Sequence, residues 1–333
     1  MSDIQPIRST GVGSWPGTDM ADAIKIAFAE CPELPYLPEL PARGSYAQLV
    51  GRSTALLAGL SVDLQPAGWR LTDASSRDHR LAKATLRSDL DLLEEFGQGY
   101  TGLLKFSFAG PWTLAAMMER PRGDRVLADS GARRDLAQSL AEGVGELVAD
   151  MQRRLPDITP VLQLDEPLLP AVLAGTVPTA SGFSRHRVVD PPEVSGAVTG
   201  IVERLAAAGD VAVVVHCCAS GAPVELLFRA GARGVSLDLD LLTTPEWDAI
   251  GAGMSEGLWL GLGALPTGRA LSPDQIAARV LRPLRTLGLE PDVSSRLVLT
   301  PSCGLASASQ DQAVRAIRSL RTAADIVTDQ LAD

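Results

Sequence analysis

The chain has 333 residues, of which 46% are hydrophobic and 21% charged, so it can bury a large core and is not expected to be disordered. Its 30 Lys and Arg residues against 40 Asp and Glu residues give a formal net charge of −10, which argues against nucleic acid or an acidic membrane as a partner. No apolar run reaches the roughly 20 residues that cross a bilayer, and the N-terminus lacks the apolar segment of a signal peptide. We therefore expect a cytoplasmic protein.

Short apolar runs alternate with longer stretches of helical spacing along most of the chain. In the N-terminal third, the sequence predicts a strand over 9–12 and helices over 19–30 and 85–95. A second strand lies over either 36–40 or 62–65. Further strands, apolar on both faces as buried parallel strands are, are predicted over 103–109, 161–165, 211–216, 234–238, 258–263 and 296–300. Helices are predicted over 133–154, 192–208, 224–230, 245–256, 273–287 and 309–331.

Either choice of second strand gives eight strands that alternate with helices over residues 1–333, which we expect to form a single domain. This number and rhythm match the (β/α)8, or TIM, barrel of the α/β class. The competing fold is an open doubly wound sheet, which usually carries a G-x-G-x-x-G turn after its first strand. Residues 11–16 are G-V-G-S-W-P, and the proline and the missing third glycine favour the barrel.

The cysteines Cys31, Cys217, Cys218 and Cys303 are too few for a disulfide framework and are better interpreted as thiols or metal ligands. Catalytic residues of a barrel belong at the carboxyl ends of the strands, where Cys303 and the sequence His216-Cys217-Cys218 are expected. Residues two apart share a face of an extended chain, so His216 and Cys218 can face the barrel mouth while Cys217 points away. One imidazole with two thiolates is a zinc-like ligand set, and three protein ligands with an open position are typical of a catalytic site.

An alternative is that Cys217 and Cys218 are small buried hydrophobic residues and that His216 is a hydrogen-bonded histidine at a strand end. Short His-x-Cys spacings occur by chance. The strand-end position and the distant Cys303 favour a metal site, but composition and spacing leave both interpretations open.

Acidic residues also follow the predicted strands. Period two places Asp165 on the same face as Gln163, so Asp165 is the inward candidate for holding a substrate ammonium group and Glu166 is a candidate at the rim. A solvated loop acid or a helix N-cap is the alternative for this Asp-Glu-Pro sequence. Asp238 ends another strand and can reach a metal or lie in water.

Together these segments resemble the C-terminal catalytic barrel of cobalamin-independent methionine synthase, in the methionine synthase and uroporphyrinogen decarboxylase-like superfamily. Five motifs occur in the family's order over nearly the whole chain. They are T-G-V-G-S-W-P at 10–16, similar to I-G-S-F-P; G-P-W-T at 110–113, similar to G-P-x-T; L-Q-L-D-E-P at 162–167, similar to I-Q-x-D-E-P; H-C-C at 216–218, similar to H-x-C; and P-S-C-G-L at 301–305, similar to N-P-D-C-G-L.

The resemblance implies a Zn²⁺ ion bound by His216, Cys218 and Cys303. The family's fourth ligand is a glutamate, and its position falls at Asp238, whose side chain is one methylene shorter. Zinc suits the expected chemistry because a thiol with a pKa of about 8.5 is mostly protonated at neutral pH and needs a metal to become a thiolate.

The resemblance also implies that homocysteine binds with its thiol on zinc and its amino group between acidic side chains. Asp165 matches one acid by motif, and Glu39, within P-E-L-P, is a weaker match to the other. Ser14 matches a residue near the substrate carboxylate. Val12, from the same motif, and Glu166 complete the predicted substrate-binding set.

The full family enzyme resembles two fused barrels with a folate methyl donor near both, whereas this chain supplies only the catalytic barrel. Short relatives with one barrel are known, and a corrinoid-bound donor has been proposed for some of them. The predicted activity is zinc-dependent methyl transfer to homocysteine, forming methionine, from a methyl-folate or a free or protein-bound methyl-corrinoid. The alternatives are a barrel methyltransferase with another thiol acceptor and a non-catalytic zinc- or thiol-binding barrel.

Overall fold

The computed structural model describes residues 5–288 and 294–332. The strands are β1 (Arg8–Ser9), β2 (Ser61–Gln65), β3 (Gly68–Thr72), β4 (Gly102–Ala109), β5 (Ile158–Asp165), β6 (Ala212–Cys217), β7 (Gly234–Asp238), β8 (Trp259–Leu265) and β9 (Leu297–Pro301). The helices are α1 (Met20–Glu30), α2 (Leu49–Thr54), α3 (Arg77–Gly97), α4 (Pro111–Met117), α5 (Ser130–Arg154), α6 (Leu169–Leu173), α7 (Pro191–Ala206), α8 (Val224–Arg229), α9 (Thr244–Ser255), α10 (Pro273–Leu287) and α11 (Gln310–Ala332). In the described part of the chain, none of these helices combines the length and apolar character needed to cross a membrane.

Seven strands form one parallel sheet in the order β1-β9-β8-β7-β6-β5-β4. The segment 35–39 lies between the two edge strands of this sheet. Its Glu39 N–H donates to the Gly13 carbonyl at 3.0 Å on the β1 side, and its Leu37 N–H donates to the Lys105 carbonyl at 3.0 Å on the β4 side. Because these bonds join both edges, the sheet closes into a ring of eight strands, and the predicted TIM barrel is confirmed.

Of the two positions predicted for the second barrel strand, 36–40 is therefore the one that the structure uses. Residues 62–65 belong to the separate antiparallel pair β2 and β3, in which Val62 is opposite Leu71. The predicted helix over 85–95 is the middle of the longer α3, which begins after Ser76, whose hydroxyl accepts the N–H of His79 at 2.9 Å. The other predicted strands and helices are present with shifted ends.

Helix α5 lies very close to the turn that follows α2. A Cβ atom on Gly143 would be 1.5 Å from the Leu56 carbonyl oxygen, so only glycine permits this approach. Beside it, the Ser139 hydroxyl donates to the Ala58 carbonyl at 2.8 Å. This contact fixes α2, which carries the buried Arg52, against the outside of the barrel.

We predict that Gly143→Ala lowers the free energy of unfolding by about 1–3 kcal/mol, because the added methyl overpacks a backbone contact. Gly196 on α7 is exposed and a Cβ there would meet no atom within 4 Å, so Gly196→Ala is the matched control. It should raise the free energy of unfolding by about 0.5–1 kcal/mol through helix propensity. Urea denaturation measures both values. Equal effects of the two substitutions would contradict the close contact.

Candidate metal and substrate site

Three polar side chains lie in one row at the carboxyl ends of neighbouring strands. Asp165, the last residue of β5, is the register partner of His216 on β6, and His216 is the register partner of Ser236 on β7. All three residues are buried. Parallel pairing thus places a carboxylate and an imidazole side by side at the barrel mouth.

The structure brings His216, Cys218 and Cys303 together, as the sequence predicts. One nitrogen or sulfur atom from each lies within 4.8 Å of the other two, and the two sulfur atoms are 3.4 Å apart. Cys217 is buried in the core, so the alternation of β6 sends the two neighbouring cysteines in different directions. Cys218 and Cys303 remain partly exposed to the mouth.

The imidazole of His216 is oriented by its neighbour on β7. Its Nδ1 atom is 3.2 Å from the Ser236 hydroxyl oxygen. Its Nε2 atom is buried and has no hydrogen-bond partner among the described residues. A buried ring nitrogen without a partner is unfavourable unless a ligand occupies it, so this atom is available to a metal.

The contact between the two thiols of the cluster shifts their pKa values in opposite directions. The pKa of Cys303 falls to about 4, because of its hydrogen bond with the Cys218 thiol and the nearby His216 imidazole. The same hydrogen bond raises the pKa of Cys218. Burial raises the pKa of Cys217 to about 11 and that of Cys31 to about 12, so these two remain neutral thiols.

This donor set fits zinc. Zn–S bonds of about 2.3 Å in tetrahedral geometry place two sulfur ligands about 3.8 Å apart, close to the separation of the two thiols seen here. One imidazole nitrogen and two sulfurs are the soft and borderline ligands that zinc prefers. Asp238 does not lie within this cluster, and its carboxylate accepts the N–H of Asp240 at 3.0 Å.

Two buried acids also line the mouth. Asp165 and Glu39 are both buried, and burial raises the pKa of each. The pKa of Glu39 rises to about 7, because the nearby Asp165 carboxylate adds to the effect of burial while the Arg52 guanidinium opposes it. Two buried carboxyl groups that repel each other form a site suited to a cation.

Ser14 joins these acids to the cysteine loop. It pairs with Glu39 in a parallel bridge, and its carbonyl accepts the N–H of Leu305 at 2.9 Å. A Cβ atom on Gly304 would be 1.9 Å from the Ser14 hydroxyl, so the glycine after Cys303 is needed for this close approach. The first and last predicted motifs are thereby in contact.

Inside the barrel, Lys105 lies under the acids and organises them. Its ammonium donates to the carbonyls of Gly11 and Val12 and, at 2.8 Å, to the Gln163 side-chain oxygen. The Gln163 amide nitrogen then donates to the Val12 carbonyl at 2.8 Å and to the Asp165 carboxylate at 2.7 Å. Val12 contributes its backbone to this network while its side chain is buried.

Three basic side chains near the barrel have partners within the protein. Lys105 lies in the interior network, Arg43 forms a bidentate pair with Asp89, and Arg8 donates to a backbone carbonyl. Sequence reasoning missed Arg52, whose Nη1 donates to the Pro38 carbonyl and whose Nε and Nη2 atoms are buried with no hydrogen-bond partner in the described ranges.

Residues 110–326 match the family described as cobalamin-independent synthase, catalytic domain. The chain belongs to this family. The predicted family and enzyme class, an S-methyltransferase of the methionine synthase type that acts on homocysteine, are therefore confirmed. No curated protein sequence matches the chain.

Two solved structures have the same fold over nearly their whole length. A B12-independent methionine synthase from Shewanella sp. W3-18-1, in complex with selenomethionine, is 13% identical, with a TM-score of 0.63 over 98% of this chain and 99% of that one. A candidate vitamin-B12-independent methionine synthase from Listeria monocytogenes is 16% identical, with a TM-score of 0.60 over the same shares. Single barrels of this length thus recur among solved structures.

In this cobalamin-independent synthase domain, Glu166 does not lie at the rim as the sequence analysis expected. Its side chain is buried and turned toward the start of α4, where one oxygen accepts the N–H of Trp112 and the other accepts the N–H and the hydroxyl of Thr113. Alternation along the chain turns Glu166 away from the face of Asp165, and the first turn of α4 lies there to receive it. The helix-cap alternative describes this residue correctly.

We predict that Glu166→Gln lowers the free energy of unfolding by about 1–3 kcal/mol, because the amide has one acceptor oxygen for two backbone N–H groups. Thr113→Val removes only the hydroxyl partner of Glu166 and should lower it by about 1 kcal/mol. Urea denaturation compares the two variants. A Glu166→Gln variant as stable as the unmodified protein would contradict the capping role.

Proposed function

We propose that residues 1–333 act as one zinc-dependent barrel that methylates the thiol of homocysteine to form methionine. The observation that carries this proposal is the opening of the His216, Cys218 and Cys303 cluster onto the same mouth as Asp165 and Glu39. A metal site alone suits many reactions. A thiophilic cluster beside a buried pair of acids suits a substrate that carries both a thiol and an ammonium group.

His216, Cys218 and Cys303 would hold the ion, and a bound zinc ion supplies a Lewis acid that keeps a substrate thiol in its thiolate form at neutral pH. Ser236 orients His216 so that Nε2 faces the cluster. We keep Asp238 as the proposed fourth ligand. One of its carboxylate oxygens accepts the Asp240 N–H, which leaves the other oxygen as the proposed donor.

Asp165 and Glu39 would bind the substrate ammonium group between them. A cation there offsets their mutual repulsion and restores both carboxylates to the ionised form. The Lys105 and Gln163 network holds Asp165 in place for this role. Ser14 would contact the substrate carboxylate. The selenomethionine bound by the Shewanella protein has the skeleton of the proposed product and supports an amino-acid ligand.

The first prediction concerns metal content. The unmodified protein should contain about one zinc per chain, and Cys303→Ser should lose it, since two ligands cannot replace three. Cys217→Ser is the matched control and should keep the metal because Cys217 faces the core. Asp238→Ala should retain zinc with weaker affinity. Plasma emission spectrometry after zinc reloading gives the stoichiometry, and zinc-free unmodified protein would exclude the metal site.

The second prediction concerns the acids. With the cobalt-substituted protein, homocysteine should bind more tightly than 4-mercaptobutanoate, which lacks only the amino group. Asp165→Asn should reduce this preference by about tenfold or more, because an ammonium loses a charged partner. Asp190→Asn, at an exposed helix start, is the control. The thiolate-to-cobalt absorption band reports both affinities. An unchanged preference in Asp165→Asn would contradict the ammonium site.

The reaction itself is tested with zinc-loaded protein and homocysteine, given methyl-folate, methylcobalamin or a methylated corrinoid protein in turn. Methionine formation from one of them supports the proposed activity and identifies the donor class. Methylation of 2-mercaptoethanesulfonate in preference to homocysteine would instead favour another thiol acceptor. Tight homocysteine binding without turnover of any donor would favour a non-catalytic thiol-binding barrel.

A further inference from the structure

A cavity opens next to the loop that carries Cys303. It has a volume of about 520 Å³ and lies between the loop after β8 and the segment that leads from β9 into α11. Its apolar lining includes Leu265, Leu271 and Leu305. The Ser302 hydroxyl, one residue before Cys303, accepts the N–H of Thr267 in the adjoining loop at 3.1 Å. The cavity is thus separate from the metal cluster but shares a wall with it.

Two cations line this cavity without partners. Arg269 follows β8 and Arg315 lies on α11, on the same helix face as Gln312 and Ser319. Both arginines are exposed, and neither guanidinium makes a hydrogen bond or an ion pair with any residue of 5–288 or 294–332. Other arginines in the described part of the chain form ion pairs with acids, as Arg279 does with Asp240 at 2.6 Å.

The charge around the cavity is opposite to that of the protein as a whole. The chain carries a formal net charge of −10, yet the described residues that line the cavity include two arginines and no Asp or Glu. Guanidinium groups beside an apolar surface favour the binding of an anion that also has an apolar part. Guanidinium binds phosphate through paired N–H donors, and it does so more strongly than it binds a neutral acceptor.

The position of the cavity favours phosphate over other anions. In the order of the ring, β8 and β9 are the seventh and eighth barrel strands, because the segment 35–39 is the second. The loops after the seventh and eighth strands are where TIM barrels most often bind phosphate groups. Here those two loops, with the first turns of α11, form the cavity.

We propose that this cavity binds an organic phosphate, with Arg269 and Arg315 on the phosphate group and the leucine floor under the apolar part of the ligand. The site is independent of the thiol chemistry proposed above. It lies on the same open face of the barrel, so a ligand held there extends toward the Cys303 loop.

Phenyl phosphate is the probe, titrated calorimetrically into the full-length protein in a low-salt chloride buffer. We expect one saturable site, with weaker binding of inorganic phosphate, which lacks the apolar body, and of benzoate, which lacks the phosphate. Arg269→Gln and Arg315→Gln should each weaken binding about threefold or more, and the double variant about tenfold or more. Arg134→Gln, an exposed residue on α5, is the control and should bind as the unmodified protein does.

Unchanged affinity in the double variant would overturn the proposal, as would binding of benzoate as tight as that of phenyl phosphate. The absence of saturable binding to the unmodified protein would also overturn it. Thermal unfolding of each variant confirms that the exposed substitutions leave the fold intact, and the single variants provide the comparison if the double variant unfolds early. None of these readouts requires zinc or methyl transfer, so they are independent of the tests of the proposed function.

Discussion

Parallel pairing of β5, β6 and β7 in one register is the constraint on which the site depends. It sets Asp165, His216 and Ser236 in one row at the open end of the barrel. Side chains alternate along a strand, so a slip of β6 by one residue would turn His216 away from the mouth and bring Cys217 into it. The row would then lose its imidazole, and Cys218 could not meet Cys303.

A second constraint is the ammonium of Lys105 inside the barrel. A buried cation is unfavourable unless it is hydrogen-bonded, and burial lowers its pKa to about 8. Lysine can only donate, so the Gln163 oxygen must face it and the Gln163 amide nitrogen must face Asp165. The same ammonium binds the carbonyls of Gly11 and Val12. The Lys105 ammonium therefore links the backbone after β1 to β4 and β5. It also orients Asp165, one of the two acids of the site.

The barrel could be predicted from the sequence because it depends on local patterns, whereas the complete ligand set of His216, Cys218 and Cys303 followed from the resemblance to the family. Apolar runs with turn residues define the strands, and the spacing of His216 and Cys218 follows from strand geometry. The choice between 36–40 and 62–65 was open because both are short runs of similar composition. Only pairing with both edges of the sheet distinguishes them, and that is a property of the closed ring.

Other features depend on contacts that no local pattern records. Arg52 lies in a short polar helix and is buried because α5 holds that helix against the barrel. Glu166 follows Asp165 by one residue, and alternation correctly predicts that it faces the other way. Whether that other face is solvent or packed against a helix depends on where α4 lies. The same limit applies to the cavity at Arg269 and Arg315, whose elements are distant in sequence.

The charged side chains at the barrel mouth are distributed unevenly. Acids lie on the side of the segment 35–39 and β5, whereas unpaired arginines lie beyond the loop that carries Cys303. Under the two proposals, an amino acid whose thiol is at the cluster would be drawn by its ammonium toward the acids, and an anionic ligand would be drawn toward the arginines. The Cys303 loop contacts both sides, through Leu305 to Ser14 and through Ser302 to Thr267. The loop that carries Cys303 therefore lies between the proposed ammonium site and the proposed phosphate site.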